Sequence, residues 1–158
     1  MSRAKRSMFA FHRELRFGDC DPSGIAYFPS YLNMLNGVVE DFWRCVGFGW
    51  PKLIGEMGIG TPTVYITCNF SRPSFYGDAL TFKLAIRRVG RKSLHLDHAV
   101  EAADGIRWKA NQVIVATSTN NHKSVAWPND VRLALGRHVM TEPMDLEMAD
   151  VVVQAGQA

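Results

Sequence analysis

Hydrophobic and polar residues alternate with two different periods along this chain. Between Phe28 and Val46, apolar side chains recur every three or four residues, which predicts a helix of about five turns with a wide apolar face. Pro29 is compatible with the first turn of that helix, because the N–H group that proline lacks has no partner there. Ahead of the helix, the alternation from Phe9 to Phe17 predicts a strand.

After Thr61 the period of the pattern changes to two. Short turns, such as the one at Ala103–Gly105, separate the alternating segments, which therefore predict long antiparallel strands. The predicted strands are Val64–Phe70, Leu80–Ile86, Leu94–Val100 and Ile106–Thr119. Short helices are predicted near Pro51–Met57 and Asn129–Leu135.

The order of these elements predicts the fold class. A single helix with one wide apolar face needs a sheet to cover it. We therefore expect an α+β protein in which a five- or six-stranded antiparallel sheet wraps a long central helix. Because the two edge strands of such a sheet keep unpaired backbone groups, we also expect pairing with a second subunit.

Composition narrows the class of protein further. The 158 residues predict one domain, 1–158, with a basic leader at 1–8 and a loosely ordered tail at 137–158. Nine Phe and four Trp within a 47 % apolar composition exclude a mainly disordered chain. No apolar run approaches the roughly 20 residues of a membrane-spanning helix, and no secretory signal is evident. The three widely spaced Cys suit a cytoplasmic protein and indicate neither a disulfide framework nor a zinc site.

The basic residues are unevenly distributed. Four of the 18 Lys and Arg lie in residues 1–13, so the remaining 14 face 15 acidic residues and the body of the protein is nearly neutral. A nucleic-acid-binding protein usually carries a basic face across the whole fold, and we expect no such partner. One local cluster, Lys83–Lys92, holds five cations and no acid. It suits either a phosphate-bearing ligand or a solvated strand end.

Candidate chemistry concentrates in the turn before the long helix, Gly18–Gly24 (GDCDPSG). Asp19 and Asp21 supply carboxylates there, and a helix start presents unpaired N–H groups at the positive end of its dipole. Such donors polarise a carbonyl and stabilise an oxyanion, and a carboxylate nearby can attack that carbonyl or activate water. On these features alone, turn and capping roles for the two aspartates explain the pattern at least as well.

The longer segment Gly18–Tyr31 (GDCDPSGIAYFPSY) resembles the signature of the 4-hydroxybenzoyl-CoA thioesterase family. The resemblance extends from about Phe11 to Leu135 and includes the shorter motifs Gly60-Thr61-Pro62 and Arg91-Lys92-Ser93. It implies the hotdog fold and hydrolysis of an acyl-CoA thioester, with an aromatic acyl group as the nearest substrate class. It also implies homodimers or homotetramers with each site at a subunit interface, no metal, and no cofactor other than the coenzyme A of the substrate.

The resemblance also implies roles for individual residues. Asp21 matches the catalytic carboxylate, as nucleophile or general base, and the backbone N–H of Phe28 matches the oxyanion donor. The expected acyl-binding residues are Tyr27, Asn36, Gly60 and Thr61, and the expected coenzyme A-binding residues are Arg91, Lys92 and Ser93. The phosphates of coenzyme A would give the basic cluster a ligand.

Several alternatives stay open. The acyl group can be a short or medium aliphatic chain, or the protein can bind acyl-CoA without turning it over. A hotdog dehydratase needs a His near the helix, and none lies between His12 and His95. Other hotdog thioesterases carry their carboxylate on the helix itself, where this chain has Glu40 and Asp41.

Overall fold

A computed structural model describes residues 8–140 and the backbone of Val151–Gln154. The predicted leader therefore lies outside the described residues apart from Met8, and so does most of the predicted tail. The strands are β1 (Met8–Glu14), β2 (Ile59–Gly60), β3 (Thr63–Phe70), β4 (Ala79–Val89), β5 (Ser93–Ala102), β6 (Gly105–Val115), β7 (Thr117–Ser118) and β8 (Val151–Gln154). The α-helices are α1 (Phe28–Cys45) and α2 (Asn129–Gly136), with short helical turns at Phe17–Asp19 and Pro51–Glu56.

The main sheet has the strand order β3-β6-β5-β4-β1-β8. The first five strands are mutually antiparallel, and β8 runs parallel to β1 along its outer edge. The strand, the long helix and the four following strands thus occur in the predicted order. Two boundaries differ from the prediction. The first strand ends at Glu14, and Phe17 lies in a helical turn. The last predicted strand is divided into β6 and β7, and β7 leaves the main sheet to pair with β2.

One face of α1 packs on the concave face of the sheet. Phe42 lies at the centre of this core, with its ring centroid 5.1 Å from that of Phe9 and 5.5 Å from that of Trp43. Burying an aromatic side chain of this size contributes about 1.5–3 kcal/mol, so the apolar stripe of α1 is the main reason that this helix stays on the sheet. The buried residues of α1 are Tyr31, Leu35, Val38, Val39, Phe42 and Trp43.

Strand β3 is the exception to this burial. It hydrogen-bonds to β6 on one side and forms the edge of the sheet on the other. Val64 and Tyr65 keep 60 % and 58 % of their surface exposed, and Phe70 keeps 46 %. The apolar stripe predicted for this segment therefore exists, but the described part of the same chain does not cover it. Such an exposed edge is a surface on which another strand can pair.

Neither helix within the described residues is long and apolar enough to cross a membrane.

Candidate active site

Backbone hydrogen bonds close the predicted turn into a compact loop ahead of α1. The N–H of Asp21 donates to the carbonyl of Ile25, and the N–H of Gly24 donates to the carbonyl of Asp21, both at 2.9 Å. Gly24 has a φ of +85°, a conformation that residues with a side chain rarely adopt. The Tyr27 N–H then donates to the Asp19 carbonyl at 2.8 Å. The loop thus holds Asp21 within a few residues of the helix start.

The two aspartates of this loop have different environments. The Asp19 carboxylate accepts the N–H of Arg16 at 2.9 Å, so it caps the turn as the simpler interpretation of the sequence expected. For Asp21, Oδ1 accepts the N–H of Ser23 at 2.8 Å and also its hydroxyl. Its second oxygen, Oδ2, has no hydrogen-bond partner in the described chain. Asp21 is therefore held by one oxygen, and the other is available for chemistry.

The start of α1 leaves one backbone donor unused. Tyr27 is the N-cap residue and its side chain does not cap the helix. Pro29 has no N–H, and the N–H of Ser30 donates to the Tyr27 carbonyl at 2.8 Å. The N–H of Phe28 has no acceptor among residues 8–140, and it lies at the positive end of an 18-residue helix. This group can therefore stabilise a developing negative charge on a ligand oxygen.

The 71–78 loop, between β3 and β4, fixes the position of that helix start. The N–H of Ala26 donates to the Ser74 carbonyl at 2.8 Å. The guanidinium of Arg107, 7 % exposed, donates to the Pro73 carbonyl at 2.6 Å and to the carboxylates of Asp78 and Asp104 at 2.9 and 2.7 Å. Burial opposes the charge of Arg107, but the hydrogen bonds to the two carboxylates raise its pKa above the ordinary value. Nothing in the local sequence marks Arg107 for this role.

A cleft of about 300 Å³ opens between the helix start and the 71–78 loop. Its walls include Phe28, Tyr31 and Phe70, and the Tyr31 and Phe70 rings are stacked with centroids 5.9 Å apart. Burial raises the pKa of Tyr31, so its phenol is neutral at physiological pH. The cleft therefore offers a flat apolar surface beside the free Phe28 N–H. The complete lining is Ile25, Ala26, Phe28, Tyr31, Phe70, Ser71, Arg72, Pro73 and Ser74.

Cys20, the one thiol in the loop, is not set up as a nucleophile. Partial burial and the neighbouring carboxylates of Asp19 and Asp21 all raise its pKa. The thiol therefore stays protonated at neutral pH, which is typical of a cysteine that packs rather than reacts.

Five of the other predicted site residues, Gly60, Thr61, Arg91, Lys92 and Ser93, lie together at the opposite end of β3. The N–H of Val115 donates to the Pro62 carbonyl at 3.1 Å, and the N–H of Ala116 donates to the Lys92 carbonyl at 2.8 Å. These bonds join the Gly60–Thr61 segment to the Arg91–Ser93 turn. We call this region the β3-start corner, comprising residues 60–63, 91–93 and 115–117. The side chains of Arg91 and Lys92 are exposed there.

The length of β3 separates this corner from the Gly18–Gly24 loop. From Thr63 to Phe70 the strand spans about 23 Å at 3.3 Å per residue. Phe70 lines the cleft beside Phe28, whereas Thr63 belongs to the β3-start corner. Within one chain, the structure therefore divides the predicted site residues into two groups.

The predicted helix residues lie between these groups or beside the loop. Tyr27 is 52 % exposed and its ring contacts that of Phe28. Asn36 is exposed on α1, about 12 Å along the axis from Phe28. Asp41 accepts hydrogen bonds from Arg13 at 2.5 Å and Arg44 at 2.9 Å, so both of its oxygens are already paired with arginines. This arrangement favours Asp21 over Asp41 as the catalytic carboxylate.

Within the range 8–140, no group of three or more His, Cys, Asp and Glu side chains is placed to hold a metal ion.

Residues 15–135 match the model of the thioesterase-like superfamily. A 4-hydroxybenzoyl-CoA thioesterase from Pseudomonas sp. (strain CBS-3) is 36 % identical over 90 residues, which are 56 % of this chain and 64 % of that relative. The match thus spans just under two thirds of the relative's length. A 1,4-dihydroxy-2-naphthoyl-CoA hydrolase from Nostoc punctiforme is 23 % identical over 123 residues, covering 78 % of this chain and 83 % of the relative.

Two solved structures of thioesterases are similar in fold to this chain. An aspartate-to-asparagine variant of a 4-hydroxybenzoyl-CoA thioesterase, complexed with 4-hydroxybenzoyl-CoA, has a TM-score of 0.75 and 26 % identity, covering 81 % of this chain and 98 % of that one. A gentisyl-coenzyme A thioesterase has a TM-score of 0.73 and 27 % identity, covering 80 % and 98 %. The predicted hotdog fold is confirmed.

Proposed function

Because this chain belongs to the thioesterase-like superfamily, we propose that it hydrolyses an aromatic acyl-CoA thioester to the free acid and coenzyme A. The proposal rests on two groups within the segment 21–28: the carboxylate of Asp21, which has one oxygen without a partner, and the N–H of Phe28, which has no acceptor among residues 8–140. Thioester hydrolysis needs both groups, a base or nucleophile and an oxyanion donor.

In the proposed mechanism, the thioester carbonyl oxygen accepts the Phe28 N–H and the acyl carbon faces Oδ2 of Asp21. As a nucleophile, Asp21 forms a bond to the acyl carbon and the C–S bond breaks. Coenzyme A leaves as a thiolate that takes a proton from solvent, and water then cleaves the mixed anhydride. As a general base, Asp21 instead takes a proton from water, and the hydroxide displaces the thiolate directly. Both routes require the carboxylate to be ionised.

The cleft supports an aromatic acyl group. Phe28, Tyr31 and Phe70 give it flat apolar walls, against which a ring can stack with centroids about 4.5–7 Å apart. The relatives named above act on 4-hydroxybenzoyl, dihydroxynaphthoyl and gentisyl thioesters, all of which have aromatic acyl groups.

The exposed edge of β3 supports a site completed by a second copy of the chain. If two β3 strands pair in antiparallel fashion, the β3-start corner of one copy lies beside the Phe70 end of the other. Thr61 of one copy would then approach the cleft of its partner, and Arg91 and Lys92 would be available to the phosphates of coenzyme A. Pairing would also cover the apolar residues that β3 exposes. We therefore infer at least a homodimer, with coenzyme A entering only as part of the substrate.

The three free thiols, Cys20, Cys45 and Cys68, are consistent with a cytoplasmic enzyme, which is the location we infer.

A panel of thioesters tests the function. Release of free coenzyme A is measured with 4-hydroxybenzoyl-, benzoyl-, butyryl- and octanoyl-CoA as substrates. We expect the aromatic thioesters to have kcat/KM values at least tenfold above those of the aliphatic ones. A preference for butyryl- or octanoyl-CoA would overturn the substrate class, and tight binding without thiol release would overturn the enzymatic activity.

A further inference from the structure

A hydrogen-bonded row of three polar side chains crosses the otherwise apolar face of the sheet that packs on α1. Nε2 of His98, on β5, lies at hydrogen-bond distance, 2.8 Å, from Oε1 of Gln112, on β6. Nε2 of Gln112 then donates to Oγ1 of Thr63, on β3, also at 2.8 Å. His98 and Gln112 are only 3 % and 5 % exposed, whereas Thr63 is an exposed residue of the edge strand. This row of side chains therefore runs from the core to the surface and ends at the β3-start corner.

The direction of these hydrogen bonds follows from the buried end. Burial lowers the pKa of His98 to about 4, so the ring is neutral at pH 7 and carries one ring proton. With that proton on Nε2, the unpartnered buried atom is the Nδ1 lone pair. If the hydrogen bonds ran in the opposite direction, the ring proton would lie on Nδ1 and leave a buried N–H without an acceptor. Buried donors without a partner are rarer in proteins than under-satisfied acceptors. The order from His98 through Gln112 to Thr63 is therefore the favoured one.

This order determines what Thr63 can offer to a ligand. Its oxygen already accepts the Gln112 amide, so its own hydrogen is left to donate. No described residue accepts that hydrogen. Thr63 is thus a hydrogen-bond donor at the edge of β3, two residues after Thr61 and beside the Arg91–Ser93 turn.

We propose that Thr63 is a specificity-determining residue that donates a hydrogen bond to an oxygen substituent on the aromatic ring of the acyl group, held in its donor orientation by His98 and Gln112. The inference rests on the proposed function, because the ring reaches Thr63 only if the β3-start corner of one copy lies beside the cleft of the other. Through this hydrogen bond, Thr63 would select hydroxylated aromatic acyl groups over unsubstituted ones.

The test compares 4-hydroxybenzoyl-CoA with benzoyl-CoA, which differ by one ring hydroxyl. The wild-type protein should have the higher kcat/KM with the hydroxylated thioester. Thr63→Val replaces the hydroxyl by a methyl group and should reduce that kcat/KM about tenfold, leaving benzoyl-CoA within twofold of wild type. Thr63→Ser should restore the preference to within about threefold.

Two further variants separate recognition from structural support. Thr67→Val is the matched control, since Thr67 lies on the same strand but contacts Asn111 on the other face of the sheet; it should leave the substrate preference unchanged. Gln112→Met removes the group that orients Thr63, and should reduce the preference about threefold even at temperatures where the variant is fully folded.

Three results would overturn the inference. The wild-type protein shows no preference for the hydroxylated thioester, Thr63→Val lowers kcat/KM equally for both thioesters, or Thr67→Val has the same effect as Thr63→Val. Failure of the proposed function is a separate outcome, because the wild-type protein would then release coenzyme A from neither aromatic thioester.

Discussion

The two ends of β3 are built in different ways. At the Phe70 end, backbone hydrogen bonds and the buried guanidinium of Arg107 fix the Gly18–Gly24 loop, the start of α1 and the 71–78 loop relative to each other. At the Thr63 end, the β3-start corner presents exposed side chains, including Arg91 and Lys92. The difference matches the two roles proposed above. The proposed catalytic groups lie at the end that is fixed within one chain, and the proposed binding groups lie at the exposed end, which a second copy would bring to them.

The largest expected effect is on kcat and comes from Asp21, in the Gly18–Gly24 loop. Asp21→Asn keeps the shape of the side chain but removes the negative charge, so it should lower kcat for thioester hydrolysis by about 10³-fold or more. Measuring free coenzyme A released under substrate saturation checks this value. Asp19→Asn is the matched control, because that carboxylate caps a turn, and its kcat should stay within about fivefold of wild type.

Circular dichroism should show both aspartate variants to be folded. A fully folded Asp21→Asn protein with a kcat near that of wild type would remove Asp21 from the mechanism. Loss of activity in Glu40→Gln instead would identify Glu40, on α1, as the catalytic carboxylate.

A smaller effect is expected from Arg107, whose buried guanidinium holds the 71–78 loop. Arg107→Met leaves Asp78 and the Pro73 carbonyl without their donor, and should lower the free energy of unfolding by about 3 kcal/mol. Arg72→Met is the control, because the pair of Arg72 with Asp104 is exposed and should contribute less than about 1 kcal/mol. Urea denaturation measures both values. Equal losses for the two variants would show that burial of Arg107 does not stabilise this end of the molecule.

The smallest effect is expected at the β3-start corner. Replacing both Arg91 and Lys92 by Ala should raise KM for the acyl-CoA about tenfold or more with kcat within about threefold, because phosphate contacts bind substrate and transition state alike. The same variant should have an unchanged KM for a truncated thioester that lacks the nucleotide. An equal rise in KM for both substrates would mean that these cations do not contact the phosphates.

Local sequence patterns predicted most of the fold and the turn ahead of α1. The two periods of the apolar pattern predicted α1 and strands β3 to β6. The helix and strands β4 to β6 each bury one apolar face, and β3 has the same alternation although it is exposed. The loop was predictable because its geometry depends on neighbours in sequence, including Gly24 with its positive φ and Pro29 in the first helical turn.

Contacts between distant segments were not predictable in this way. Arg107 lies in a strand that reads as an ordinary alternating segment, yet it holds the 71–78 loop across the sheet. The hydrogen bond between His98 and Gln112 depends on strand register, and no local spacing in the sequence indicates it. The separation of the β3-start corner from the loop likewise follows from the length of β3 and from its place at the sheet edge.

The oxyanion donor can be tested most directly by removing one hydrogen-bonding group. Phe28→Pro deletes the backbone N–H, while proline suits the first position of a helix and the extended Tyr27 suits a residue before proline. Phe28→Ala is the reference, since it loses the same ring but keeps the N–H. We predict that kcat of Phe28→Pro will be about 10²- to 10³-fold below that of Phe28→Ala, with both variants folded. Equal kcat values for the two variants would contradict the proposal that the start of α1 stabilises the oxyanion.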